Sequence, residues 1–152
     1  MALAREMLAL AGRPDADVEA ALKDGRAMDS WRAMIRAQDG DPDAALPTAR
    51  ETHVVTATAD GVMTRLDALP FGIAAWRLGA GRARAEDPVI HEAGIDLHVK
   101  PGDRVVAGQP LFTLSAADEA RFPRALQALE DAWELGESAP QTAPLVRERI
   151  TA

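Results

Sequence analysis

Gly94-Ile95-Asp96-Leu97-His98-Val99-Lys100-Pro101-Gly102-Asp103-Arg104-Val105-Val106-Ala107-Gly108-Gln109-Pro110-Leu111-Phe112 is the stretch on which the fold turns. Ile95, Leu97 and Val99 are apolar, with Asp96 and His98 between them. That is the period-two pattern of a half-buried strand. Pro101-Gly102-Asp103 predicts a turn, because proline presets φ and glycine accepts a positive value. Val105-Val106 reads as a second short strand and Ala107-Gly108-Gln109 as a second turn. Leu111, Phe112 and Leu114 begin a third strand. Three short strands joined by two tight turns make a compact β-unit. Nothing in it is a catalytic constellation.

Upstream, Thr52 to Ala59 is rich in Val and Thr and predicts a strand. Asp60-Gly61 is a strong hairpin signal, with Val62 to Leu66 as the return strand. Pro70 falls near the first turn of a short helix, where its missing N–H costs little. Ile73, Ala74, Trp76 and Leu78 are available to pack that helix, which stops at Gly79-Ala80-Gly81. A polar loop from Arg82 to Asp87 follows. Downstream, a long helix is predicted from Asp118 to Leu135. Phe122, Ala125, Leu126, Leu129 and Trp133 share a face, and Pro123 sits in the first turn. Gly136 ends it, and Leu145 to Ile150 reads as a final short strand.

The first 45 residues are helical in pattern. Leu3, Ala4, Met7, Leu8 and Ala11 share one face, and Gly12 and Pro14 stop the first helix. It begins almost at Met1 with no capping residue before it, a pattern that fits a piece cut from a longer chain and equally an ordinary frayed N-terminal helix. Asp15 or Asp17 can cap a second helix, closed by Gly25. A third runs from Ala27 to Gln38, with Met28, Trp31, Met34 and Ile35 in one stripe that reads as core. Residues 39–48 are a linker by composition. Its three alternating aspartates fail the EF-hand pattern, since the sixth and twelfth positions hold Ala44 and Arg50.

Composition narrows the function. The chain has 152 residues, 47% apolar, no cysteine and a formal net charge of −7. Disulfides and thiolate zinc sites are excluded. The charge argues against a general nucleic-acid binder, which needs clustered Lys and Arg, and equally against an anionic-membrane anchor. Met1 to Leu10 is too short and too polar to span a membrane, and no signal peptide is read. A cytoplasmic location is expected.

Candidate chemistry is sparse. Gly79-Ala80-Gly81-Arg82 has the look of a phosphate cradle, but phosphate sites use the N-terminal end of a helix and these glycines follow one. C-capping is the better reading of Gly79, while Arg82 and Arg84 can reach an anion from a mobile loop. His91, Glu92, Asp96 and His98 have metal-ligand chemistry but no sequence sign of convergence, so a polar strand face is favoured and no metal is expected. Ser30, Ser115 and Ser138 sit at helix edges and none lies in a Gly-x-Ser-x-Gly elbow. The deciding stretch also resembles biotinyl and lipoyl carrier domains. Lys23 lies in a helix, however, and Lys100 precedes the turn instead of occupying its tip.

Taken together, the chain resembles the C-terminal portion of the thymidine phosphorylases, within the pyrimidine nucleoside phosphorylase family. The resemblance runs through Leu3-Ala4-Arg5-Glu6-Met7-Leu8, Met34 to Pro42, Leu46-Pro47-Thr48-Ala49, Ala59-Asp60-Gly61-Val62 and Gly72-Ile73-Ala74-Ala75. It continues through Leu78-Gly79-Ala80-Gly81-Arg82 and Gly102-Asp103-x-Val105-x-x-Gly108-x-Pro110-Leu111. It implies an α+β fold: an α/β-hammerhead, barrel-sandwich-like C-terminal domain over residues 46–152. Residues 1–45 are then a helical segment of the parent's large domain. The family converts thymidine and phosphate to thymine and 2-deoxyribose 1-phosphate without a cofactor. Its phosphate and pyrimidine grips, and its main dimer contact, belong to an N-terminal part absent here. The implied partner is that missing part. Phosphate and a pyrimidine nucleoside would be bound only in the complete homodimeric enzyme, and no catalytic residue of the family can be placed on this chain. The loop carrying Gly79, Gly81, Arg82 and Arg84 is the expected cleft-facing element. A stand-alone binding module on the same scaffold is the alternative.

Overall fold

In a computed structural model, which describes residues 1–141 and 144–150, both turns of the deciding stretch form where the sequence puts them. Gly102 has φ 101° and Gly108 φ 83°, values that favour a residue without Cβ. The Asp103 carboxylate accepts the Lys100 N–H at 2.8 Å and closes the first turn. The Gln109 side-chain carbonyl accepts the Val106 N–H at 3.2 Å and closes the second.

Residues Leu46–Gln141 form one of two compact units, an α+β arrangement. Its strands are β1 (Glu51–Thr56), β2 (Gly61–Leu66), β3 (Gly94–Leu97), β4 (Arg104–Val105), β5 (Pro110–Ala116) and β6 (Trp133–Gly136). They make two antiparallel three-stranded sheets, ordered β1-β5-β3 and β4-β2-β6. Odd-numbered strands lie in one sheet and even-numbered strands in the other, so each strand is followed by one in the opposite sheet.

That alternation corrects two local readings. Asp60-Gly61 does not close a hairpin, because β1 pairs with β5 while β2 pairs with β4 and β6. Gly61 keeps a negative φ, and Asp60 instead accepts the Ala107 N–H at 2.8 Å. Nor do the three strands of the deciding stretch form one ladder. β3 meets β5 directly, with Ile95 opposite Leu114, while β4 joins β2. The second short strand is also displaced by one residue, to Arg104–Val105.

The predicted long helix is corrected as well. Glu119–Arg121 is a single tight turn, α-helix occupies only Phe122–Ala128, and Trp133–Gly136 is a strand against β2. The sheet wins because β2 offers partners: Leu135 faces Met63 and Trp133 faces Leu66. Arg65 reinforces the join through Asp67, the Asp131 carbonyl at 2.7 Å and Glu134 at 3.5 Å. Hydrogen bonding to Asp67 holds the Arg65 guanidinium above its ordinary range. Trp133 and Leu135, two residues apart, both pack against the core, the period of a strand. Residues 145–150 form no strand.

One further helix, Ala68–Ala75, follows β2 and runs into an irregular helical turn over Trp76–Ala80. Its buried side chains are Phe71 and Ala74, joined by Leu78 of the turn, whereas Ile73 and Trp76 stay partly exposed. The core centres on Phe112. Its ring meets Phe71 edge-on at 5.1 Å and Trp133 at 6.3 Å. Met63, Leu78, Leu111 and Leu114 surround it, all fully buried.

The second unit holds Met1–Ala45 with the C-terminal residues. Its helices are Ala2–Leu10, Val18–Lys23 and Arg26–Ala37. Asp17 caps the second, accepting the Ala20 N–H at 2.9 Å. Asp24 precedes the third and takes both the Arg26 N–H and its guanidinium, which lowers the carboxyl below its usual range. The third ends in a left-handed residue, Asp39 with φ 60°, followed by a Gly40 N–H bond to the Ile35 carbonyl at 3.0 Å. That is a Schellman-type stop. No residue of these helices is buried, and Leu3, Met7, Leu10, Met28, Trp31 and Met34 face outward.

Phe112→Ala removes a fully buried ring and its two aromatic partners. The expected cost is about 3–5 kcal/mol, the range for large-to-small aromatic truncation. Urea unfolding followed by near-ultraviolet circular dichroism measures it, with a Val106→Ala control, an exposed site, changing by less than about 0.5 kcal/mol.

Candidate functional site

One concave feature of the Leu46–Gln141 unit is built around Gly79 and Gly81. The chain leaves the Trp76–Ala80 turn through Gly79, whose φ is 116°. A Cβ there would lie 2.6 Å from Ile90 Cδ1, and the Gly79 carbonyl accepts the Ile90 N–H at 3.0 Å. Gly79 therefore breaks the helix and seats the returning loop. Gly81 lies close to the Trp76 indole, where an added Cβ would be 3.0 Å from Cδ1. Both glycines are explained by packing, and the positive φ of Gly79 agrees with C-capping.

The loop and the Phe122–Ala128 helix enclose a cavity of about 470 Å³. Three arginines line it: Arg77 from the Trp76–Ala80 turn, Arg121 from the tight turn before the helix, and Arg124 from the helix itself. Backbone carbonyls stitch them together. Arg77 Nη1 donates to the Arg124 carbonyl at 2.5 Å, and Arg121 Nη1 to the Arg77 carbonyl at 3.5 Å. None of the three has a carboxylate partner among the described residues. Asp87 also lines the cavity, and its Oδ2 accepts the Arg84 N–H at 2.9 Å.

Gly79 and Gly81 thus border the cavity, whereas Arg82 and Arg84 do not line it. Arg82 turns back to the Ala85 carbonyl at 3.0 Å, within its own loop. The arginines that do converge were missed by motif reading. Arg77 and Arg124 are 47 residues apart, and their meeting depends on two helices packing together.

The remaining chemical candidates stay dispersed. His98 Nε2 shares a hydrogen bond with Thr113 Oγ1 at 2.8 Å, across two neighbouring strands. His53 stands 5.6 Å from the Phe122 ring. Among the described residues no three His, Cys, Asp or Glu side chains are grouped to hold a metal. Ser30 bonds its own helix through the Arg26 carbonyl. Asp43 of the acidic linker pairs with Arg32 and Arg36 at 3.6 and 3.3 Å. Among the described residues no helix is long and apolar enough to cross a membrane.

Residues 62–136, which hold β2 through β6 and the arginine cavity, match the pyrimidine nucleoside phosphorylase C-terminal domain. The chain belongs to that family and corresponds to its C-terminal portion. Within the family, it is 46% identical over 148 residues to the thymidine phosphorylase of Mycobacterium tuberculosis strain CDC 1551 / Oshkosh, and equally to that of strain H37Rv. The alignment takes in 97% of this chain but 35% of each relative. The chain thus spans about a third of the length of the curated relatives it matches.

Gly79→Ala forces a left-handed φ on a residue with Cβ and drives that atom into Ile90. Gly102→Ala carries only the conformational penalty, since its Cβ meets open space. Chemical denaturation is expected to show about 1–2 kcal/mol lost for Gly102→Ala and about 2–4 kcal/mol for Gly79→Ala.

Proposed function

We infer that this chain serves as the structural C-terminal domain of a thymidine-cleaving pyrimidine nucleoside phosphorylase and is catalytically silent by itself. The observation that carries this reading is the alignment of 97% of the chain to 35% of a thymidine phosphorylase. The alternating two-sheet unit supports assigning residues 46–152 to an α/β-hammerhead, barrel-sandwich-like domain. The exposed apolar faces of the first three helices support residues 1–45 as part of the parent's large domain. The rest of such an enzyme is the natural partner: it supplies phosphate and pyrimidine binding and the dimer contact, in the cytoplasm.

Phosphorolysis of a nucleoside depends on holding phosphate and base in line and on stabilising charge as the glycosidic bond breaks. A domain contributes to that without touching substrate when it supports the element that closes over the cleft. The loop from Gly79 to Arg84 is that element in this reading. It leaves the helix through a glycine hinge, and its own bonds, Arg82 to Ala85 and Arg84 to Asp87, are local and exposed.

The purified chain is expected to give no thymidine phosphorolysis by ultraviolet absorbance, under conditions where a complete phosphorylase of the family turns over. Turnover by the chain alone would place the chemistry within these residues and overturn the assignment. In the complete enzyme, Arg82→Ala is expected to lower kcat/KM several-fold by loosening closure. An unchanged kcat/KM removes the loop from the mechanism.

A further inference from the structure

Three arginines line one cavity, and none of them has a carboxylate within ion-pair distance among the described residues. The chain as a whole carries a formal charge of −7, so this cluster runs against its general sign. One atom sharpens the point. Arg77 Nε is the only buried side-chain nitrogen or oxygen without a hydrogen-bond partner among the described residues. A buried N–H of a charged group left unpaired is costly, and native structures seldom keep one without a purpose. Arginine presents its donors in a planar fork that suits the paired oxygens of a phosphate. Arg77 and Arg121 each spend one Nη1 donor on a backbone carbonyl. The bond from Arg77 to the Arg124 carbonyl fixes the orientation of its fork at the cavity wall, with Nε itself buried.

The remaining wall is of another kind. Trp76, Pro88 and Ile90 line the same cavity. A volume of about 470 Å³ lies within the range of small-molecule sites, roughly 300–1,000 Å³, and is far more than an inorganic oxyanion fills. An anionic pole and an apolar, aromatic wall together describe one ligand chemistry.

We propose that the cavity between the Trp76–Ala80 turn and the Phe122–Ala128 helix is a binding site for a phosphomonoester. Arg77, Arg121 and Arg124 hold its phosphate, and Trp76 packs against its organic part. Asp87 stands in the same cavity as the one carboxylate and favours ligands whose organic part offers a hydroxyl or amino donor. The site is independent of whether the chain is catalytically silent, because it is read by binding and not by turnover.

The test uses the full chain labelled with nitrogen-15, titrated at constant ionic strength with adenosine 5′-monophosphate, ribose 5-phosphate, inorganic phosphate and chloride. The arginine Nε–Hε signals and tryptophan fluorescence are followed. The expected result is a saturable shift of the Arg77 Nε–Hε signal with both phosphomonoesters, and weaker binding of inorganic phosphate. Adenosine monophosphate should also change the Trp76 emission, an effect absent in Trp76→Phe. Arg124→Gln leaves intact the backbone carbonyl that holds Arg77 and should weaken binding about tenfold, as loss of a charged hydrogen bond does. Arg121→Gln should do the same, so the result does not depend on one variant folding well. Arg104→Gln, outside the cavity, should leave affinity within about twofold. No saturable shift at Arg77, equal response to chloride, or affinity unchanged in both cavity variants overturns the site. Equal affinity for inorganic phosphate and the phosphomonoesters overturns the assignment of the organic wall.

Discussion

The fold depends on a short set of backbone hydrogen bonds that tie the turns of the Gly94–Phe112 stretch to β2 and to the segment before it. Ala57 donates to the Gln109 carbonyl and accepts from Gly108, both at 2.8 Å. Met63 accepts from Gly102 at 2.8 Å and donates to the Asp103 carbonyl at 2.9 Å. Asp60 adds its carboxylate to the Ala107 N–H. The second turn is thus fastened where the chain passes from one sheet to the other, and the first to β2 itself. A strand that changes sheets leaves its polar backbone groups without ladder partners at the crossing, and buried ones must find others. Here the two crossings satisfy each other. The core follows: Leu111, Phe112 and Leu114 of one sheet cluster with Met63 of the other and with Leu78, and exclude water.

This arrangement explains which parts of the sequence could be read. Local signals were reliable where the local bond decides the outcome. The glycine turns and the Asp17 cap belong to this class, whereas the expected alternation fails at Leu97, which ends its strand exposed. Asp60-Gly61 has the composition of a hairpin turn, but composition reports only that the chain bends there. Whether β1 and β2 then pair depends on β5, which is distant in sequence and covers β1 along its whole length. Trp133–Gly136 shows the same limit. Apolar spacing continued the helical pattern of Phe122, Leu126 and Leu129, and only the vacant edge of β2 turns those residues into a strand. Tertiary pairing overrode propensity at both places.

The site divides along the same line. Gly79 and Gly81 were legible because a glycine pair after a helix has a local cause, and the structure supplies it in Ile90 and Trp76. Arg82 and Arg84 drew notice by adjacency to those glycines, yet their bonds stay inside the loop. Arg77 and Arg124 lacked any such marker. Each is one arginine in a helix-rich segment, and their relation appears only when the Arg77 guanidinium reaches the Arg124 carbonyl. Convergence of charge across two elements leaves no trace at fixed spacing, unlike a turn or a cap.

The distribution of buried surface bears on what such a domain is for. Among the described residues, every buried apolar side chain lies between Ala57 and Ala132. The unit from Leu46 to Gln141 therefore owns its core, and its stability is internal. The three N-terminal helices own none: their Leu, Met and Trp side chains stay in solvent. Helices of nine, six and twelve residues are marginal in water without tertiary cover, so their sequence pattern makes physical sense only against a further apolar surface. In the proposed reading the helices dock on the rest of the parent enzyme, while the Leu46–Gln141 unit carries a core of its own.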